Sequence, residues 1–286
     1  MAQLLSGREV AGSLCQRLSG QVKTLQAAGV QPCLAILRVG RREDDLSYER
    51  SAIKRCQGLD ILTRGFVLEA GSSQQQLEAV LEQINQDPDI HGCLMFRPLP
   101  AHLDEARACR LLDPAKDCDG ITDLSLLGVL AQTGQGYPPC TAQAVLEILD
   151  HYNIPVQGKR VTVIGRSLVV GKPLAMLLLA RHATVTICHT RTLDLPGRCR
   201  EAEILIAAAG AAHMVDGSCL APGQIVIDVG VNFTPEGRLV GDVCFDQAEP
   251  LVQAIAPVPG GVGAVTTAVL AKQVILAAAA QNSISL

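Results

Sequence analysis

Along the first third of the chain the apolar positions switch between two spacings. Residues 7–28 carry the spacing of an amphipathic helix, 33–39 form an apolar run of strand length, and 43–57 return to a polar, helix-like pattern. A second cycle follows: 61–68 reads as a strand, 73–84 as a helix, and 92–96 as a short buried strand that stops at Pro98-Leu99-Pro100. Strands alternating with helices in this way predict a parallel sheet covered by helices.

Tyr137-Pro138-Pro139 interrupts the alternation, and 141–152 then reads as a connecting helix, which places a domain junction there. Beyond it, 160–164, 184–188, 204–208 and 225–229 are four short β-branched runs, the signature of a doubly wound sheet. After the turn Pro259-Gly260-Gly261-Val262-Gly263 comes a final helix over 266–280, long enough to pack back on the first domain.

Composition narrows the function classes. With 286 residues, 48% hydrophobic and 18% charged, the chain suits one large or two modest globular domains rather than a disulfide-stapled scaffold or a disordered segment. A net charge of −4 without a basic run, and 2% aromatics without Trp, leave little to hold nucleic acid. The 11 cysteines include no C-x-x-C pair, so neither a disulfide framework nor a thiolate metal site is expected, and a reducing cytoplasm is. Arg8 and Glu9 interrupt any signal-like apolar start, and Lys272 and Gln273 interrupt the apolar C-terminal segment, so no export signal and no membrane span are read.

The strand at 160–164 runs into Gly165-Arg166-Ser167-Leu168-Val169-Val170-Gly171-Lys172-Pro173 and then an apolar helix. Gly165 permits a tight turn, Gly171 a close backbone approach, and the helix start offers free N–H groups to a pyrophosphate. The spacing is not that of the general G-x-G-x-x-G fingerprint. The second strand ends in Cys188-His189-Thr190-Arg191, without the acid that would bond a ribose 2′-hydroxyl. A 2′-phosphate fits between Arg166 and the Thr190-Arg191 turn, which favours NADP over NAD, although each arginine taken singly is equally a solvated residue. Cys188-His189 is not read as a metal or nucleophile pair, because neighbouring strand residues face opposite sides.

Four segments carry a resemblance: Gly165-Arg166-Ser167 with Val170-Gly171 and Pro173; Lys116-Asp117-Cys118-Asp119-Gly120; Pro139-Cys140-Thr141; and Pro257-Val258-Pro259-Gly260-Gly261-Val262-Gly263. In order and spacing the chain resembles the methylenetetrahydrofolate dehydrogenase/methenyltetrahydrofolate cyclohydrolase family over essentially its whole length. The resemblance implies two α/β domains with a cleft between them. One is an N-terminal parallel-sheet catalytic domain over 1–140, completed by a C-terminal helix at 265–286. The other is a Rossmann-like doubly wound NADP domain over 141–264. It also implies a cytoplasmic homodimer, a reduced folate substrate, no metal, and cofactor contacts from Gly165, Arg166, Ser167, Gly171, Thr190, Arg191 and Val231. Substrate contacts are implied for Tyr48, Asp119, Pro259, Gly260 and Gly261.

The family sets a tyrosine on the pterin ring, a proton-handling lysine four residues later, a glutamine that tunes the lysine, and an aspartate on the pterin. Tyr48 and Asp119 match the first and last. Ala52 stands at the lysine position and Phe96 at the glutamine position, where the family's Val-Gln-Leu-Pro-Leu-Pro reads Met95-Phe96-Arg97-Pro98-Leu99-Pro100. On a helix Lys54 is turned roughly 120° from Tyr48 and about 160° from Ala52, so it points elsewhere. Arg55 lies nearer the Tyr48 face but stays protonated; it either holds a folate glutamate tail or is solvated. Asp45 replaces a serine, Ala142 and Ala264 replace prolines, and His91 replaces an aspartate and is expected at the surface.

The resulting expectation is NADP-dependent oxidation of 5,10-methylenetetrahydrofolate with cyclohydrolase activity weak or absent. A silent NADP- or folate-binding regulatory paralogue, and an ordinary bifunctional enzyme with a substitute proton carrier, stay open beside it.

Overall fold

A computed structural model describes residues Met1–Leu286. The chain forms two compact units, Met1–Gly12 with Thr141–Thr266, and Ser13–Cys140 with Thr267–Leu286. In chain order the first elements are β1 (Gln3–Leu4), α1 (Gly7–Ala27), β2 (Cys33–Val39), α2 (Glu43–Gln57), β3 (Leu62–Leu68), α3 (Gln74–Gln86), β4 (Gly92–Met95), α4 (Glu105–Leu111) and α5 (Asp123–Ala131). After α6 (Cys140–His151) come β5 (Arg160–Ile164), α7 (Gly171–Ala180), β6 (Thr184–Cys188), α8 (Leu195–Arg200), β7 (Ile204–Ala207) and β8 (Ile225–Asp228). The short elements β9 (Asn232–Phe233), β10 (Leu239–Val240), α9 (Phe245–Ala248) and β11 (Ala254–Ala256) precede the last helix, α10 (Val262–Gln281).

In the three-strand unit β2 lies between β3 and β4, all parallel. Paired on both edges and covered by helices, β2 is buried at every position, which is why it reads as a run rather than an alternation. Leu77, Leu81 and Ile84 of α3 pack on Ala35, Leu37, Cys93 and Met95 of the sheet. Ser73 starts α3 with a reciprocal cap: its Oγ accepts from the Gln76 N–H and its own N–H donates to Gln76 Oε1.

α10 has the length and apolarity of a membrane span, but most of it is buried in the protein as a core helix. Gln273, one of the two polar interruptions, donates through Nε2 to the carbonyls of Cys118 (3.0 Å) and Pro138 (3.1 Å).

The six-strand unit has the order β1-β11-β8-β7-β5-β6, parallel throughout. From β5 the chain steps first to β6 on one side and then to β7 on the other, a switch point with β5 and β7 at its centre. Leu205, Val226 and Ile255 form the core, while β6, at the edge, is largely exposed.

Two expectations are corrected. Residues 1–12 belong to the six-strand unit, not to the 1–140 domain: the N–H groups of Gln3 and Leu5 donate to the Gln253 and Ile255 carbonyls at 2.9 and 2.8 Å. His91 is buried, not at the surface, with only 4% exposure. Its N–H donates to the Cys33 carbonyl (3.0 Å) and its carbonyl accepts from Gln281 Nε2 (2.8 Å), so both backbone groups are tied in and the ring follows.

Candidate active site and nucleotide pocket

The nucleotide pocket is built on the turn from β5 to α7. A Cβ on Gly165, whose φ is +119°, would lie 2.1 Å from the Ala208 carbonyl oxygen; one on Gly171 would lie 2.1 Å from the Gly165 oxygen. The turn therefore passes closer to β7 and to the helix start than any side chain allows. Ser167 pins it, its Oγ accepting from the Val170 N–H (3.1 Å) and its carbonyl from the Lys172 N–H (3.0 Å).

The cavity in front of this turn measures about 310 Å³ and is lined by Gly165, Arg166, Ser167, His189, Thr190 and Ala208, among others. It sits beyond the carboxyl ends of β5, β6 and β7, where doubly wound sheets bind dinucleotides. A glycine cradle a Cβ would fill, a helix N-terminus and a rim with an arginine and no carboxylate fit a phosphorylated dinucleotide.

Of the residues read as cofactor contacts, Gly165, Arg166, Ser167 and Thr190 line this cavity, while Gly171 shapes its wall. Arg191 and Val231 lie exposed outside the lining. Sequence reasoning missed His189, whose Nδ1 accepts from the Arg191 N–H (3.1 Å) and fixes the turn after β6. It also missed Asp242, which is fully buried and accepts from three successive amides, Ala209 (2.6 Å), Gly210 (3.0 Å) and Ala211 (2.9 Å). That carboxylate holds open the loop beyond β7, and no local pattern announces a partner so far along the chain.

In the three-strand unit α2 presents Tyr48 and, one turn later, Ala52, which is only 1% exposed. Phe96, just beyond β4, meets Tyr48 edge-on with ring centroids 6.0 Å apart. Asp119 acts on Tyr48: burial above all, and then the Asp119 charge, push the Tyr48 phenol well above its ordinary value, so it is protonated at neutral pH.

The loop that carries Asp119 is fixed by Asp117, whose carboxylate accepts from the N–H groups of Ile121 (2.9 Å) and Thr122 (2.8 Å) and from the Thr122 hydroxyl (2.7 Å). Burial raises the Asp119 carboxyl to about 6, against the pull of Arg97 and hydrogen bonds from the Cys140 thiol and backbone N–H. Lys54 is exposed, as its helical angle requires. Arg55 is not simply solvated: it donates to Thr267 Oγ1 (3.4 Å) and reaches Cys15 Sγ (3.3 Å). Asp45 is buried, 3.9 Å from Arg42. Pro259, Gly260 and Gly261 belong to the six-strand unit, where the Gly260 carbonyl accepts from the Gly7 N–H (2.8 Å).

Residues 5–119 match the model for the catalytic domain of tetrahydrofolate dehydrogenase/cyclohydrolase, and residues 139–282 match that of its NAD(P)-binding domain. The chain belongs to the tetrahydrofolate dehydrogenase/cyclohydrolase family. It is 49% identical over 286 residues to the bifunctional protein FolD of Carboxydothermus hydrogenoformans, covering 99% of this chain and 100% of that one. With the bifunctional protein FolD of Clostridioides difficile it shares 47%, covering 98% of each.

Among solved structures of the tetrahydrofolate dehydrogenase/cyclohydrolase family, the bifunctional FolD of Campylobacter jejuni superimposes with a TM-score of 0.95 at 33% identity, over 97% of this chain and 99% of that one. The Trypanosoma brucei enzyme, complexed with NADP cofactor and inhibitor, gives 0.93 at 34% identity, over 99% of each chain. The two α/β units are thus the catalytic and NAD(P)-binding domains of a folate dehydrogenase/cyclohydrolase, an oxidoreductase family.

Proposed function

We propose that the protein oxidises 5,10-methylenetetrahydrofolate to 5,10-methenyltetrahydrofolate with NADP, and that hydrolysis of the methenyl product is weak or absent. NADP, when bound, supplies the hydride acceptor. Gly165, Ser167 and the start of α7 would hold its pyrophosphate, with Arg166 and Thr190 at the ribose phosphate. The Trypanosoma brucei relative's complex with NADP supports this choice. Tyr48 offers a neutral ring to the pterin, and Asp119 accepts from pterin N–H groups when ionised.

The observation that carries the second clause is the pairing of Phe96 with Tyr48 above a buried Ala52. Adding water to the methenyl carbon releases a proton, and neither a methyl group nor a phenyl ring takes one up. Positioned proton transfer contributes about 10²–10⁴-fold, so its loss removes most of the hydrolysis. Hydride transfer depends chiefly on orientation and survives the loss.

A second reading has its own observation. The curated relatives are named bifunctional, which favours an ordinary bifunctional enzyme with a substitute proton carrier, and Asp119, raised to about 6, is the candidate. Assaying the purified protein with methenyltetrahydrofolate separates the two: hydrolysis at the rate of intact bifunctional enzymes overturns the loss. Absence of NADP reduction on methylenetetrahydrofolate, with ligand binding retained, indicates a silent regulatory paralogue instead.

The resemblance extends the reading to a homodimer, consistent with the exposure of Val231 and Phe233, and sedimentation tests it. A cytoplasmic location accords with eleven free cysteines, nine of them buried.

A further inference from the structure

We propose that Arg38 and Glu49 are positioning residues of the folate site: a buried ion pair that fixes the rotation of α2 on the sheet, and with it the placement of the Tyr48 ring. The inference rests on the reading of Tyr48 as the ring that meets the pterin.

Arg38 is the one charged residue of β2, a strand buried at every position. Its neighbours Leu37 and Val39 pack in the core with α3, so its own side chain leaves the opposite face of the sheet. There Nε donates to Glu49 Oε2 of α2 at 2.9 Å, both side chains being largely buried. The same guanidinium donates through Nη1 to the Gly40 carbonyl, in the turn after β2.

Phe96 comes to the same face. The ladder between β2 and β4 ends with Leu37 opposite Met95, and the Phe96 N–H then donates to the Leu37 carbonyl (2.9 Å), which makes Arg38 and Phe96 the next neighbours across the two chains. Tyr48 and Glu49, about 100° apart around α2, each meet one of these neighbours. The Tyr48 ring stands against the Phe96 ring, and the Glu49 carboxylate against the Arg38 guanidinium. One contact alone leaves a helix free to roll about it; two contacts at different angles do not. The entrance of α2 is tied as well, since Arg42 Nη1 donates to the Pro98 carbonyl (3.1 Å) on the loop that follows Phe96.

Stability alone does not call for this pair. The attraction within a buried ion pair roughly repays its desolvation, and apolar side chains of similar volume usually hold a core at least as well. What the pair adds is direction: a planar guanidinium anchored on the Gly40 carbonyl receives a carboxylate along a fixed line, whereas two apolar side chains slide past each other.

The test is calorimetric titration of the full-length protein with tetrahydrofolate, under anaerobic conditions, beside thermal denaturation. Arg38→Met combined with Glu49→Met is expected to melt within a few degrees of the wild type or above it. The same double variant is expected to bind tetrahydrofolate about tenfold more weakly, the size of one aromatic contact. Glu49→Gln, which keeps the acceptor oxygen, is expected to stay close to wild-type affinity. In a Tyr48→Ala background the double replacement is expected to cause no further loss, because its effect runs through the ring.

Wild-type affinity in the double variant overturns the proposal, and so does an undiminished further loss on top of Tyr48→Ala. A double variant that melts far below the wild type overturns it in favour of a purely structural role. Glu49→Gln binding as weakly as the double variant overturns it as well. A wild-type protein that binds no tetrahydrofolate overturns the folate reading itself, and the proposal with it.

Discussion

The Phe96 ring stands at 84° to the Tyr48 ring, edge to face, with centroids 6.0 Å apart. This contact is apolar and shape-specific, a geometry that aromatic pairs favour. Ala52 lies one helical turn from Tyr48 on the same face, and the proposed loss of hydrolysis takes Phe96 and Ala52 to stand where the family has a glutamine and a lysine.

Introducing both polar groups is the decisive substitution. Ala52→Lys with Phe96→Gln is expected to raise methenyltetrahydrofolate hydrolysis by about 10²-fold or more. Ala52→Lys alone is expected to destabilise the fold, because an ammonium would be buried without a partner. Stopped-flow absorbance of methenyltetrahydrofolate measures the first outcome and thermal denaturation the second.

Gly165→Ala and Gly171→Ala are expected to cost roughly 1–3 kcal/mol each. Both new methyl groups would meet backbone oxygen at 2.1 Å, which no rotamer change relieves. Thermal melts with and without NADP check this: each variant melts lower, and the stabilisation that NADP gives the wild type shrinks.

Arg166→Gln is expected to weaken NADP by about 10- to 100-fold while changing NAD little, since charge-assisted hydrogen bonds contribute roughly 1.5–3 kcal/mol. Arg191→Gln is expected to have the smaller effect, because Arg166 lines the cavity and Arg191 does not. The ratio of the two dissociation constants, measured by fluorescence titration, decides the matter.

His91 gives the acid limb of stability a specific source. Burial first, then the Lys116 charge, hold its imidazole below the ordinary 6.5, with Asp89 and Asp87 pulling the other way. Its Nδ1 is buried without a hydrogen bond. The unfolded chain takes up this proton at a higher pH than the native protein does. Native stability therefore rises with pH across that interval and falls on acidification below about 6.5. His91→Leu is expected to lower the difference in urea midpoint between pH 7.5 and pH 5.5; an undiminished difference refutes the assignment.

How much of this was legible in the sequence depended on element length. The runs that became β5, β7 and β8 announced themselves, because a parallel strand buried on both faces needs an unbroken apolar run, and the exposed edge strand β6 showed through its β-branched Thr184, Val185, Thr186 and Ile187. β1, β9 and β10 have two residues each and β11 three, too few to show any period, so the true edge of the larger sheet was missed. The glycines and Arg166 were readable because their turn is local. Asp242 was not, since it serves amides more than thirty positions earlier.

The discontinuity of the two units bears on synthesis. The unit carrying Tyr48 and Asp119 is closed by Thr267–Leu286, and the opening strand waits for β11 to find its place in a sheet. A nascent chain emerging from the ribosome can thus complete neither hydrophobic core until nearly its whole length has been translated, and expression of either half alone should yield a particle with an unsealed interior.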